Sequence, residues 1–211
     1  MRVRWLGVAG ALVLLAAGAA LVGYRLGDDD LPAPVRFDAQ PVPAASPSIP
    51  VTPAEVVPDD PYPALRPGVR TRPVKVGAPP FQVTLPVPRG WVRSDSSPAE
   101  WRWFPEQGLP KNLFFFRVSQ VGQNHQPVPD AVAGRVAALR AAPDADDLVV
   151  ESQSPDRFVS TYVTDEHRRV SYEGFIARDG AAYLRIAVIG READRAGLAD
   201  LFDRLMSDTE V

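Results

Sequence analysis

Residues 168–189 read RRVSYEGFIARDGAAYLRIAVI. Two runs rich in aromatic and β-branched residues flank the pair Asp179-Gly180. A two-residue turn between twisted strands needs positive φ at both central positions, and Asp-Gly supplies it. The stretch therefore predicts an antiparallel hairpin, Arg168–Arg178 turning into Ala181–Ile189. In its second strand Leu184, Ile186 and Val188 point one way, while Tyr183 and Arg185 point the other. One apolar face and one mixed face is the pattern of an antiparallel sheet that must be covered on at least one side.

Working outward, Leu148–Gln153 and Arg157–Thr164 extend the run of strands. Before them, Asp130 predicts a helix start, with Val132, Val136 and Leu139 forming an apolar stripe up to about Ala142. Earlier still, Phe81–Leu85 alternates, Trp91-Val92 is extended, and Glu100–Phe104 alternates with both tryptophans on one face. Asn112–Val121 is apolar on both faces, which predicts the central strand. After the hairpin, Leu198, Leu201, Phe202 and Leu205 recur at i, i+3, i+4 and i+7, predicting a closing helix over 192–206. The order β-β-β-α-β-β-β-β-α lacks βαβ alternation. It predicts an α+β fold, an antiparallel sheet flanked by helices.

The chain ahead of this domain reads differently. Trp5–Tyr24, WLGVAGALVLLAAGAALVGY, carries no charge, and a helix of about 20 residues spans ~30 Å, the thickness of a bilayer core. Arg2 and Arg4 precede it and Asp28–Asp30 follow, which predicts a cytoplasmic N-terminus. A transmembrane anchor over 1–27 is the expectation, contacting the lipid bilayer through residues 5–24. A cleaved secretory signal ending near Ala17-Gly18-Ala19 is the alternative, and it would leave a secreted domain. Either way the remainder is expected outside the cytoplasm. From 28 to 80 prolines recur every few residues, so a semi-rigid, disordered spacer is expected there, with the folded domain over 81–211.

Composition removes several classes of function. The chain has no cysteine among its 211 residues, so disulfides, thiolate metal sites and cysteine nucleophiles are excluded. A net charge of -3 offers no global attraction to nucleic acid. His125 and His167 fall in polar turns, and Asp144, Asp146 and Asp147 lack the glycine and distal glutamate of a calcium loop. Gly-x-Ser-x-Gly is missing, and Ser94–Ser97 reads as a loop. No catalytic residue, cofactor or metal is expected.

A resemblance adds to this reading. Leu85-Pro-Val-Pro-Arg-Gly90-Trp91 resembles the L-P-x-G-W start of PsbP-like domains, and the element order over Phe81–Met206 is similar. Within that group the chain is similar to the LpqN-type envelope proteins of actinobacteria, although it lacks their lipidated cysteine. The resemblance implies an α-β-α sandwich, export, and a non-enzymatic accessory role. It assigns no binding residue.

The one local enrichment is aromatic, running from Trp91 through Phe116. Core packing accounts for it, and a groove wall for an apolar ligand or partner is the alternative. Trp101, Arg102, Trp103 and Arg117 are the candidate binding residues of such a groove. The expected function is a membrane-anchored extracytoplasmic binding or adaptor domain with an envelope protein partner. A carrier for a lipid or other apolar ligand is the alternative.

Overall fold

The computed structural model describes residues 54–97, 99–105, 113–122 and 125–211. The expected membrane segment, residues 5–24, lies outside them. Among the described residues no helix is long and apolar enough to cross a membrane. Pro50–Val211 is one compact unit.

Among the described residues, nine strands and two α-helices make a mixed α+β fold whose sheets are antiparallel. β1 (Thr71–Val76) and β2 (Val83–Pro88) form a separate two-stranded ribbon. The other strands are β3 (Val92–Ser97), β4 (Glu100–Phe104), β5 (Phe115–Gln120), β6 (Asp146–Gln153), β7 (Arg157–Thr164), β8 (His167–Arg178) and β9 (Ala181–Gly190). They form one sheet in the order β3-β4-β5-β9-β8-β7-β6. Helix α1 (Val128–Arg140) follows β5, and a 3₁₀ turn (Glu192–Asp194) leads into α2 (Arg195–Asp208).

The deciding hairpin forms as its sequence requires: Asp179 and Gly180 take φ of 53° and 80°, and β8 pairs with β9 from Val170 opposite Gly190 to Arg178 opposite Ala181. β9 is the central strand, not the Asn112–Val121 segment. Leu113, which made that segment look apolar on both faces, lies in a bend ahead of β5. α1 also starts earlier than expected, with Pro127 as its N-cap and Pro129 in the first turn, where a missing N–H costs nothing. Asp130 sits inside that turn, favourably placed against the positive end of the helix dipole. Ser94–Ser97 belongs to edge strand β3 instead of a loop.

One sheet face carries Trp101, Trp103, Phe116, Val118, Val170, Leu184, Ile186 and Val188, all buried in a cluster with Leu198, Leu201, Phe202 and Leu205 of α2. The helix lies close because Gly174 and Gly190 leave room. A Cβ there would sit 2.9 Å from Met206 Sδ and 2.9 Å from Phe114 Cβ, respectively. α1 packs on the opposite face, its Val132, Val136 and Leu139 against Phe158, Phe175 and Ala182. Each of the largest buried side chains contributes roughly 1.5–3 kcal/mol by leaving water.

The expected spacer is the largest departure. Residues 54–80 belong to the folded unit, and the rest of the expected spacer, residues 28–53, lies outside the described residues. Prolines are compatible with β1 and β2 because both are edge strands. Pro73 faces Pro86, and Thr71 faces Pro88, at alternate positions of the ladder. Those positions do not hydrogen-bond within the ribbon: Thr84, in the same phase, instead exchanges both backbone bonds with Glu210, at 2.9 and 3.0 Å.

Upstream of β1 the chain is held by side chains from far along the sequence. A proline-rich segment has few N–H donors, so its carbonyls need donors from elsewhere. Arg191 Nη2 donates to the carbonyls of Tyr62 and Pro63 at 3.2 and 3.3 Å. Asp194, wholly buried, accepts from the Leu65 N–H at 2.9 Å and from Arg191 Nε at 2.8 Å. Asp200 accepts from the Gly68 N–H at 2.9 Å, and Arg204 donates to the Val69 carbonyl. Gly197 makes this approach feasible, since a Cβ there would lie 2.3 Å from the Leu65 carbonyl oxygen.

Candidate anion-binding cleft

The face bearing α1 is only half covered. The helix packs over β6, β8 and β9, and beside it the face continues across β9, β5 and β4. Period-two alternation puts every second residue of those strands on this side: Glu100 and Arg102 of β4, Phe115, Arg117 and Ser119 of β5, Arg185 and Ile189 of β9. The register sets Arg102 directly opposite Arg117 and Ser119 directly opposite Arg185. Like charges facing each other across a ladder are destabilising.

Of these, Arg102, Phe115, Arg117, Arg185 and Ile189 floor an open cleft of about 410 Å³ that also reaches Arg135, Tyr162 and Arg169. Asp144 and Asp165 stand at its exposed rim. Two of its arginines have full partners. Arg135 makes a fork to Glu173, 2.8 and 3.1 Å, and Glu173 is only 1% exposed. Burial pulls the Arg135 pKa down, but the bond to Glu173 and its charge outweigh that and hold it above the usual value. Arg169 reaches Asp59 at 2.7 Å.

Arg102 and Arg117 share one carboxylate, Glu100. Arg102 Nε donates to Glu100 at 2.8 Å, whereas Arg117 Nε stays 3.9 Å from the same residue. That Arg117 Nε is buried and lacks a hydrogen-bond partner. Arg185 has a single long bond, 3.4 Å to Ser119 Oγ. Burial and the neighbouring Arg117 charge pull its pKa down to about 10. Burial, with the Glu173 charge, pushes the Tyr162 hydroxyl up to about 12.

The sequence candidates divide between the two faces. Trp101 and Trp103 are 7% and 2% exposed and lie in the α2 core, Trp103 stacked on Phe116 with ring centres 4.6 Å apart. They do not line the cleft. Arg102 and Arg117 do. Sequence reasoning missed Arg185, Arg135 and Glu173. Alternation places Arg185 on the side of its strand away from Leu184 and Ile186, and Arg117 on the side of β5 away from Phe116 and Val118; only the pairing of β5 with β9 brings the two together.

A larger hollow of about 660 Å³ opens at the Asp179-Gly180 end of the sheet. Its lining includes Phe81, 49% exposed, and Tyr183. Its cation is already engaged: Arg178 donates to Tyr183 Oη and the Pro80 carbonyl at 3.2 and 3.1 Å. His125 lies exposed at this hollow with φ of 44°. His167 Nδ1 lies 3.1 Å from the Val57 carbonyl oxygen and 3.3 Å from Asp59. Among the described residues no group of three or more His, Asp or Glu is placed to hold a metal ion. The sequence matches no family model and no curated protein.

Proposed function

We propose that this chain is a membrane-anchored, extracytoplasmic binding or adaptor domain that assists a cell-envelope process without catalysing a reaction. The apolar run Trp5–Tyr24 and the charges around it support the anchor and its orientation. The Leu85–Trp91 segment, and two helices packed on opposite sides of an antiparallel sheet, support an α-β-α sandwich of the PsbP-like, LpqN-type kind.

The observation that carries the binding role is the arginine-floored cleft. Folding alone gives no reason to place Arg102 against Arg117, or to half-bury Arg185 without a carboxylate. Uncompensated cations on a concave surface are suited to an acidic group on a partner or ligand. The test is capture from the native envelope by cross-linking, comparing the full chain with its Arg117→Gln/Arg185→Gln variant. A partner retained by the first and lost by the second supports the reading, and identical capture sets overturn it.

The second reading is a carrier for a lipid or other apolar ligand, favoured by the hollow beneath Phe81. It expects a lipid-sized mass to travel with the chain in native mass spectrometry and to fall away in Phe81→Ser.

A further inference from the structure

The cleft's unmet hydrogen-bonding capacity is more specific than its charge. Glu100 Oε1 is taken by Arg102, at 2.8 Å from Nε and 2.6 Å from Nη2, and Oε2 accepts from Ser119 Oγ at 3.1 Å. The carboxylate is thus committed to Arg102. Arg117 and Arg185, on neighbouring strands, are left as two positive charges, and among the described residues no carboxylate is nearer to them than the 3.9 Å to Glu100. The Arg117 Nε–H is buried without a partner, and Arg185 makes only the one long bond to Ser119, so the fold saturates neither guanidinium.

We propose that Arg117 and Arg185 together bind the phosphate of a phosphate monoester whose alcohol carries hydroxyl groups. The proposal rests on the reading of the cleft as a binding surface, and it names the ligand's chemistry.

Three features select this class. First, two guanidinium groups on the cleft floor have no carboxylate hydrogen-bonded to them among the described residues, and a phosphate monoester near neutral pH carries between -1.5 and -2, against -1 for a carboxylate. Second, its three terminal oxygens accept from two guanidinium groups at once, in the geometry arginine presents to phosphate. Third, the rim is acidic. Asp144 and Asp165 accept hydrogen bonds from hydroxyl groups and repel a second acid, so they discriminate against polyanions. The shared chemistry fits a soluble polyol phosphate and a lipid headgroup phosphate alike.

The experiment is isothermal titration of the full chain in an uncharged detergent, at fixed ionic strength, with glycerol 3-phosphate, inorganic phosphate and acetate. Both phosphates are expected to saturate one site, with acetate at least ten-fold weaker. Binding should weaken from pH 7 to pH 5 as the phosphate loses its second charge. Arg117→Gln and Arg185→Gln should each weaken binding at least ten-fold, while Arg72→Gln, on exposed β1, should leave it unchanged. Glu100→Gln should tighten it several-fold by removing the carboxylate beside Arg117, a gain that misfolding does not produce. Titration in the same detergent with short-chain phosphatidic acid against short-chain phosphatidylcholine separates the sources. Phosphatidic acid binding tighter than glycerol 3-phosphate assigns the lipid headgroup, and glycerol 3-phosphate binding with no phosphatidic acid binding assigns a soluble ligand. No saturable binding of either phosphate source, or equal affinity in wild type and both glutamine variants, overturns the proposal. If that happens while envelope capture still depends on Arg185, only the ligand class falls and the binding role stands.

Discussion

The two faces of the seven-stranded sheet follow opposite rules. Under α2, Leu184, Ile186 and Val188 are wholly buried and Trp103 stacks on Phe116. Every side chain there lowers the free energy of folding by leaving water. On the other face, beyond α1, Arg102 opposes Arg117 and Arg185 lies half-buried beside them. That arrangement raises the free energy of folding through repulsion and desolvation. A sheet needs one apolar face to fold, and the second is free to hold an unfavourable arrangement that serves binding. Local violations of folding rules are expected at functional sites.

Truncations that break packing or a buried ion pair should therefore destabilise on either face, whereas removing an unpaired cleft arginine should not. The largest effect belongs to the apolar face: Trp103→Ala is expected to cost about 3–5 kcal/mol in denaturant unfolding, through lost burial and the cavity left behind. On the cleft face the largest loss is Glu173→Ala, which strands Arg135. We expect about 2–3 kcal/mol, below the range for a fully buried pair because Arg135 keeps 21% of its side chain exposed. Gly197→Ala drives a methyl group into the Leu65 carbonyl and should cost roughly 1–3 kcal/mol. It should also raise hydrogen exchange in residues 57–70 before the sheet is affected.

The smallest effects concern titration. Tyr162 has a folded pKa raised to about 12 from an ordinary value of 10.0. Between those values the unfolded chain has already lost a proton that the fold retains, so this contribution is full below pH 10 and is lost as pH rises towards 12. Arg185, lowered from 12.5 to about 10, acts with the opposite sign above pH 10. Its contribution to stability rises there, because the unfolded state then binds more protons. Tyr162→Phe should consequently lose less stability than wild type between pH 10 and pH 12.

Much of the sheet was legible because its signals are local. Asp179-Gly180 fixed the hairpin, and the 3.6-residue stripe of Leu198, Leu201, Phe202 and Leu205 marked the buried side of α2. Phe81–Leu85 marked the start of β2, but β1 and the continuation of β2 through Pro86 and Pro88 were illegible for the converse reason. Pro73, Pro86 and Pro88 argue locally against a ladder, and what overrides them is their phase in an edge ribbon and the C-terminal tail that pairs with Thr84. The segment before β1 depends on Arg191, Asp194 and Arg204, more than a hundred residues away. No local pattern announces such a partner.

The site was half legible. Alternation along Glu100-Trp101-Arg102-Trp103-Phe104 already places tryptophans and Arg102 on opposite faces, so the four candidates never formed a single wall. Finding the cleft itself needed the strand order that brings β9 beside β5. Until that neighbour is known, Arg185 is one exposed-looking arginine among many.

The most direct test of the contrast between faces is the thermal unfolding of Arg185→Gln at neutral pH with no ligand added. If Arg185 is held for binding, removing its charge relieves desolvation and the repulsion from Arg117. The melting temperature should then stay level or rise by a few degrees, corresponding to about 0.5–1 kcal/mol. A fall as large as that of Trp103→Ala would mean that the arginines hold the fold together, and would contradict the account.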